Sequence, residues 1–460
     1  MKRIGTSRVV LLAGLAALCA GAALAQGPGS LFPNYPFSSF RFNFINPGAR
    51  ATGMGQAFIA LGDDATGSET NPAGLTALVK PQLFAEGRWV VNRFQTLRMV
   101  VGEASYDRFS EGTFSPTFLS VVYPLRQWAF GAYRQELANY EVSPSQGLVV
   151  IHDTRFRLTN QPLQVTPFDT RIRIKTVNYG FSLARRWGER VNLGVSFRAT
   201  RFTARSVETQ STQYLSPMVA TIDGSTTAIL HHLDGDDWAF SWVAGAIVKP
   251  RDNLRVGAVY RSGSDHPMHM VYNENLMSVP GNVPLAVTDT EFKLRVPSRF
   301  GVGLAYLPTE HVTFTADLIQ IRYGELTPSF VHLIQREFRD DYAFENGTSV
   351  RLGAEYTVFW GRVPVSIRVG FYTDPDNTLH YVGDRHGNDG IWALAGVYFP
   401  ISQIIYNFPA AQRAVFPERG TDCHLTFGTG FTFRNHLQVD WAADVARDRA
   451  YLVVSALYNF

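Results

Sequence analysis

Apolar and polar residues change places at every second position through much of this chain beyond about residue 110, a period that belongs to a strand with two unlike faces. Val191, Leu193, Val195 and Phe197 interleave with Asn192, Gly194, Ser196 and Arg198. Val350, Leu352, Ala354, Tyr356 and Val358 alternate with Arg351, Gly353, Glu355 and Thr357; Val363, Val365, Ile367, Val369 and Phe371 do so with Pro364, Ser366, Arg368 and Gly370. Lipid outside and a polar interior inside impose this pattern on the strands of a membrane barrel. After Ala25 no run approaches the roughly twenty apolar residues that a spanning helix needs, so any crossing of a membrane falls to strands.

Turns mark the ends of these strands. Short breaks stand at Pro124 to Gln127, Trp187 to Arg190, Pro250 to Asn253, Pro308 to Glu310, Trp360 to Arg362, and Arg434 to Asn435. Long polar connections, expected at 207–238, 263–290, 324–347 and 374–422, lie between the hairpins. Short turns on one side and long loops on the other are the asymmetry of an outer-membrane barrel. Strands are expected at 82–105, 117–124, 127–140, 171–186, 191–206, 239–249, 254–262, 291–307, 311–323, 348–359, 362–373, 423–433, 436–446 and 450–460, with Val397 to Pro400 inside the longest outer loop. Fourteen is an even number, which returns both barrel ends to one side, and closure removes the unpaired edges that hydrocarbon penalises. The fold class is therefore all-β: a 14-stranded antiparallel transmembrane β-barrel over 82–460, preceded by a small N-terminal plug or hatch at 26–81.

The first 25 residues read as a signal peptide: Lys2, Arg3 and Arg8, an apolar run from Val9 to Leu24, and the small-residue site Ala23-Leu24-Ala25. Leu18 before Cys19 does not suit lipid attachment. Taking those three basic residues from the 42 Lys plus Arg leaves 39 against 39 Asp plus Glu, so no net basic face points to nucleic acid. One cysteine, Cys423, remains beyond the signal, and stability is expected without a disulfide framework. Arginine outnumbers lysine 37 to 5, which suits bidentate contacts with lipopolysaccharide phosphates. Outer-membrane lipids are the expected surroundings, and the bacterial outer membrane the expected location. Counting back from Phe460, the residues Tyr458, Ala456, Val454 and Leu452 are apolar, similar to the terminal strand read by the barrel-assembly machinery.

Residues 26–81 do not alternate and carry Pro33, Pro36, Pro47, Pro72 and Pro81 with many Gly and Ala, poor material for strands. Within them stands Asn46-Pro-Gly-Ala-Arg-Ala-Thr-Gly-Met-Gly-Gln-Ala-Phe-Ile-Ala-Leu-Gly-Asp-Asp-Ala-Thr-Gly67, followed by Asn71-Pro72-Ala73-Gly74-Leu75. Gly53 and Gly55 permit close backbone packing around Met54, Asp63 or Asp64 can cap a short helix, and Asn71-Pro72 makes a turn. These motifs resemble the N-terminal hatch of the outer-membrane long-chain fatty-acid transporter superfamily, which includes hydrocarbon channels and a PorV-like branch serving protein secretion. About 30 residues carry the resemblance, with Pro297-Ser-Arg-Phe-Gly-Val-Gly-Leu as a weaker mark.

The resemblance implies a fourteen-stranded barrel for passive uptake of hydrophobic small molecules such as long-chain fatty acids. It implies hatch or ligand roles for Gly53, Met54, Gly55, Asp63, Asp64, Asn71, Pro72 and Ala73, with the Asn71-Pro72-Ala73 turn close to an opening in the wall. A plug that only braces the barrel, and a PorV-like barrel that docks secreted proteins through its loops, are the alternatives. The Leu31 to Phe44 segment and the aromatic residues of the long loops are further expected contacts.

Inside the barrel, Arg198, Arg255, Arg351, Glu355, Arg368, Asp440 and Asp444 either line a passage or pair with the plug, and pairing is favoured because buried charges need partners. Asp234, Asp236 and Asp237 lack the later bidentate Glu of a calcium loop and are expected in a solvated outer loop. His231-His232 and His266-x-x-His269 are expected in loops, without a third metal ligand. No G-x-S-x-G nucleophile motif is present. No catalytic residue, metal ligand or cofactor is assigned.

Overall fold

The computed structural model describes residues 44–100, 103–151, 164–211, 213–214, 227–276, 283–331, 340–383, 413, 418, 420–434, 436–447 and 449–460. The expected signal peptide, residues 26–43 of the plug segment and the Val397 to Pro400 stretch lie outside them. Fourteen staves are seen among the described residues. They begin with β1 (Gln82–Val100), β2 (Glu103–Leu125), β3 (Trp128–Ile151), β4 (Gln164–Trp187), β5 (Val191–Ser211) and β6 (Thr227–Arg251). Two staves are each in two pieces: β7 (Leu254–Arg261 and Ser264–Leu276) and β8 (Val283–Val296 and Arg299–Thr309). The rest are β9 (Val312–Ile321), β10 (Gly347–Trp360), β11 (Val363–Asp374), β12 (Asp422–Phe433), β13 (Leu437–Val445) and β14 (Arg449–Asn459).

Each stave pairs antiparallel with the next, and β14 returns to β1 in register from Gln82↔Asn459 to Asn92↔Arg449. Closure is physical necessity here, because an unpaired edge in hydrocarbon leaves a row of unsatisfied N–H and C=O groups. The period-two pattern sorts the side chains as expected: Val350, Leu352 and Tyr356 are exposed on the outside, whereas Arg351 and Glu355 are buried inside. Pro297, which has no N–H, breaks β8, and the Ser298 amide beside it donates instead to Glu325 (3.1 Å).

The staves run well beyond the expected strands. β2 begins at Glu103, β3 continues to Ile151, β5 and β6 take in 207–211 and 227–238 of the expected loop at 207–238, and β7 and β8 take in 264–276 and 283–290 of that at 263–290. The reason is that only lipid imposes an apolar face. At roughly 2.5 Å of height per residue, from a rise of about 3.3 Å and a tilt of about 40°, an apolar band of about 25 Å takes up ten residues, and these staves reach twenty or more. Above the band both faces meet water, and alternation no longer reports the ladder. Asp234, Asp236, His231, His232, His266 and His269 accordingly stand on β6 and β7, not in loops; Asp236 pairs with Arg201 (2.7 Å), and the buried His266 contacts Ser264 Oγ (3.0 Å).

Ile367 on β11 faces outward, six residues beyond Gly361 of the tight turn and so near the middle of the band. Ile367→Arg should destabilise the barrel by about 2–4 kcal/mol in urea unfolding from lipid vesicles. An effect below about 1 kcal/mol would place this face outside the hydrocarbon.

Candidate functional site

Residues 44–78 lie inside the barrel, and almost every side chain from Phe44 to Thr76 is buried. The segment is too rich in Gly and Pro for long elements. It forms one-turn helices α1 (Ala49–Gly53) and α2 (Gly67–Thr70) and a 3-10 turn, Pro72–Ala77. Its backbone rests on glycines of the wall. A Cβ on Gly353 of β10 would stand 2.3 Å from the Met54 carbonyl oxygen, and one on Gly370 of β11 would stand 2.0 Å from the Gly55 nitrogen. Gly55 itself, at φ 59°, has no room for a side chain against β10 and β11. Thr426 of β12 accepts from the Gly55 amide (3.0 Å) and donates to the Gly53 carbonyl (3.2 Å). A second seat uses Gly257 and Gly303, which face each other across β7 and β8 beneath Ile59-Ala60, while Asp317 accepts the Phe58 and Ile59 amides at 2.7 and 3.0 Å.

The third seat holds the Asn71-Pro72-Ala73 turn. Gly194 of β5 and Gly245 of β6 face each other across the ladder, and a Cβ on either would collide with Ala73 or Asn71. Asn71 caps the 3-10 turn by accepting the Ala73 amide (3.2 Å), and its Nδ2 donates to the Ile59 carbonyl (2.8 Å). The β5–β6 ladder is continuous past this point, from Val191↔Val248 to Gln210↔Ile229.

The wall is interrupted elsewhere. β2 and β3 pair only from Leu125↔Trp128 to Phe118↔Gln135. Above that level β2 pairs with β1 and β3 with β4, and β3 makes only a brief parallel contact with β1 at Leu148–Val150. Local sequence accounts for the break. Pro116 cannot donate to a neighbour, Thr117 is squeezed out of the β1–β2 register, and Leu137 is squeezed out of β3–β4. Arg134 covers the Pro116 carbonyl that β3 leaves unpaired (2.7 Å). The break starts seven residues above the lower turn, about 18 Å up and still within the apolar band. Its sill is aromatic: Phe118 lies edge-on to Phe84 (5.9 Å) and stacked on Tyr133 (5.7 Å), over Ala65, Leu75 and Leu78 of the inner segment. The Asn71 turn thus rests two strands from the break, not at its edge.

Ion pairs hold the segment from the side. Arg50 grips Glu355 of β10 through two bonds (2.9 and 3.0 Å) and Asp63 (2.8 Å); Asp63 also meets Arg255 (3.1 Å). Glu355 passes the chain of charges to Arg368, and Arg368 to Asp440 (2.6 Å). Glu69 lies between Arg261 (3.3 Å) and Arg198 (3.8 Å). Of the interior charges, Arg198, Arg255, Arg351 and Glu355 therefore meet the segment, whereas Arg368 and Asp440 pair within the wall and Asp444 binds Tyr372 and His424. Asp64 makes a local turn by accepting from the amide of Thr66 (2.9 Å), the α2 N-cap two residues on, whereas Asp63 caps nothing.

Burial works to raise the Asp63 and Glu69 carboxyls, but arginines prevail, Arg50 and Arg255 for the first and Arg261, Arg299 and Arg198 for the second, so both lie below their ordinary values. Burial wins at Asp64, which is raised. Lowered carboxyls contribute stability that is full above their ordinary pKa, about 4, and is lost as pH falls through the lower folded values. The wall glycines and Asp317 carry much of this site, yet motif reading passed over them. Glycine at the inward phase of an alternating strand was the available signal, since it marks close backbone approach.

Arg50→Leu leaves Asp63 and Glu355 without their shared cation, and a broken buried pair costs about 3–5 kcal/mol. Amide exchange over 44–81 should therefore accelerate at least a hundredfold while the barrel amides do not change. In the unmodified protein, protection of the same amides should persist to about pH 4 and fall below it. Loss already near pH 6 would show that the pairs do not hold the segment.

The sequence profile described as "Outer membrane protein transport protein (OMPP1/FadL/TodX)" matches residues 43–376, well over half of the chain. Among solved structures, a Pseudomonas aeruginosa FadL homologue superposes with a TM-score of 0.61 at 14% identity, covering 91% of this chain and 99% of that one. The Pseudomonas putida toluene transporter TodX (TM-score 0.56, 16% identity) and the Ralstonia pickettii toluene transporter TbuX (0.55, 14%) cover the same shares. At such identities these likenesses concern the fold. No curated protein sequence matches the chain. The profile and the closed fourteen-stave barrel together place the protein in the outer membrane, and the chain belongs to the OMPP1/FadL/TodX family of outer-membrane transport proteins.

Proposed function

We propose that the barrel is a passive conduit for amphipathic hydrophobic molecules, long-chain fatty acids in particular, which leave the lumen sideways through the break between β2 and β3. That break carries the reading. A gap within the apolar band, with an aromatic sill, lets an apolar chain pass from lumen to lipid without crossing water, and transfer of apolar surface at roughly 25 cal/mol per Å² supplies the drive. No bond is made or broken, and no catalytic group or cofactor is assigned.

Charge inside the lumen supports a carboxylate. Above the inner segment and beside the Leu137 bulge lies a cavity with room for about one water-sized group, lined by Arg198, Arg299, Asn178 and Ser241 among others. Arg299 is buried and packs over the Phe44 ring (4.0 Å); it has no hydrogen-bond or ion-pair partner among the described residues, and its Nε is unsatisfied. Arg299 shares the field of Glu69 with Arg261 and Arg198 but is hydrogen-bonded to no anion, which is costly for a buried guanidinium, and a ligand carboxylate at this point would satisfy it together with Arg198. The inner segment acts in this scheme as the hatch: Gly53-Met54-Gly55 and Asn71-Pro72-Ala73 are its seats, Asp63 anchors it, and Asp64 shapes its turn.

Uptake of labelled oleate and of labelled toluene by cells producing the protein tests this. Arg299→Leu should lower oleate uptake about tenfold or more and leave toluene uptake within twofold. Equal loss of both would remove the carboxylate; absence of uptake of either by the unmodified protein, with secreted proteins co-purifying, would favour a docking barrel.

A further inference from the structure

On the outer surface of the barrel, at the level of the tight turns, Arg185 of β4 is held between two indoles. Trp128 stands opposite it in the β3–β4 ladder, and Trp187 follows two residues later on the same face. The Arg185 guanidinium carbon lies 4.9 Å from one ring centre and 4.7 Å from the other. Both tryptophans are part-exposed, and the arginine Nε has no hydrogen-bond partner among the described residues. A cation between aromatic faces is fixed in direction and only weakly hydrated, which favours a phosphate over water. The adjoining turns add the exposed Arg126 and Arg190 against one acid, Glu189.

Tight turns mark the periplasmic end, where tryptophans occupy the interface between acyl chains and headgroups. Arg185 is therefore at the phosphate level of the inner leaflet. Directly above it the outer wall is concave. A depression of about 690 Å³ has Ala132 and Ala199 in its floor and Leu119, Tyr179, Phe181 and Phe197 around it. Along β4 it spans Phe181 to Tyr179, four to six residues and so about 10–15 Å above Arg185, the direction in which an acyl chain would run from a headgroup held there.

We propose that this face is a binding site for one diacyl phospholipid of the inner leaflet: the Trp128–Arg185–Trp187 clamp holds its phosphate, and the depression holds an acyl chain. The site requires a membrane-embedded barrel but not the transport reading, so either stands if the other fails. Arg134, at the edge of the β2–β3 break, also borders the depression, so the bound chain lies against the outer side of that break.

Native mass spectrometry of the full-length protein in mild detergent, titrated with dioleoylphosphatidylglycerol and separately with dioleoylglycerol, tests the site. The phosphatidylglycerol should bind as a single high-affinity adduct, at least tenfold more tightly than the phosphate-free lipid. Arg185→Gln and Trp187→Leu should each weaken it roughly tenfold, while Arg434→Gln, in the β12–β13 turn on another part of the rim, should not. Heat-modifiable gel migration verifies that each variant is folded. Equal binding of the two lipids to the unmodified protein, or an equal loss in Arg434→Gln, would overturn the proposal.

Discussion

Everything in this molecule is built around the impossibility of leaving backbone N–H and C=O groups bare in hydrocarbon. That requirement closes β14 onto β1, puts apolar side chains outside and charges inside, and forces the charges to find partners. It also gives the β2–β3 break its meaning. An interruption at the height of the apolar band is expensive, and the chain contains it with devices specific to the place: a proline where a donor is missing, two bulges that draw the staves apart, and Arg134 over the orphaned carbonyl.

The interior is filled by a segment with little regular structure of its own, held by two kinds of force. Contact through paired glycines brings backbone against backbone, where a single methyl would collide. Charge then fixes the position, through Arg50 to Glu355 and Asp63 and through Glu69 to Arg261. Glycine seats give closeness without strong adhesion, whereas ion pairs stabilise only while both partners are present. A segment held in this way suits a hatch: discrete polar bonds to the wall stand beside separate hydrophobic clusters, such as that of Ala65, Leu75 and Phe118 and that of Ala49, Ala442 and Val453.

Position links the cavity, the break and the outer clamp. Leu137, the residue bulged from β3, borders the cavity that contains Arg198 and Arg299; Tyr133, four residues lower, belongs to the sill and borders the outer depression; Trp128, at the foot of the same stave, forms half of the clamp. One stave therefore borders the inner cavity, carries the sill and supplies half of the clamp.

The sequence by itself determined the closed barrel, its fourteen staves, the tight turns and the face on which each side chain lies, because lipid and lumen write a period of two wherever the wall meets hydrocarbon. Stave lengths were hidden above the band, where both faces are wet and β6 and β7 lose their pattern. The hatch motif was legible as glycines and prolines, but its counterpart was not: Gly194 facing Gly245, or Gly257 facing Gly303, is a relation between staves, and no single strand contains it. The break between β2 and β3 was likewise decided only in the tertiary structure. Pro116 and the residues around Leu137 are unremarkable in sequence, and only their arrival at the same height on adjoining staves leaves the ladder without partners.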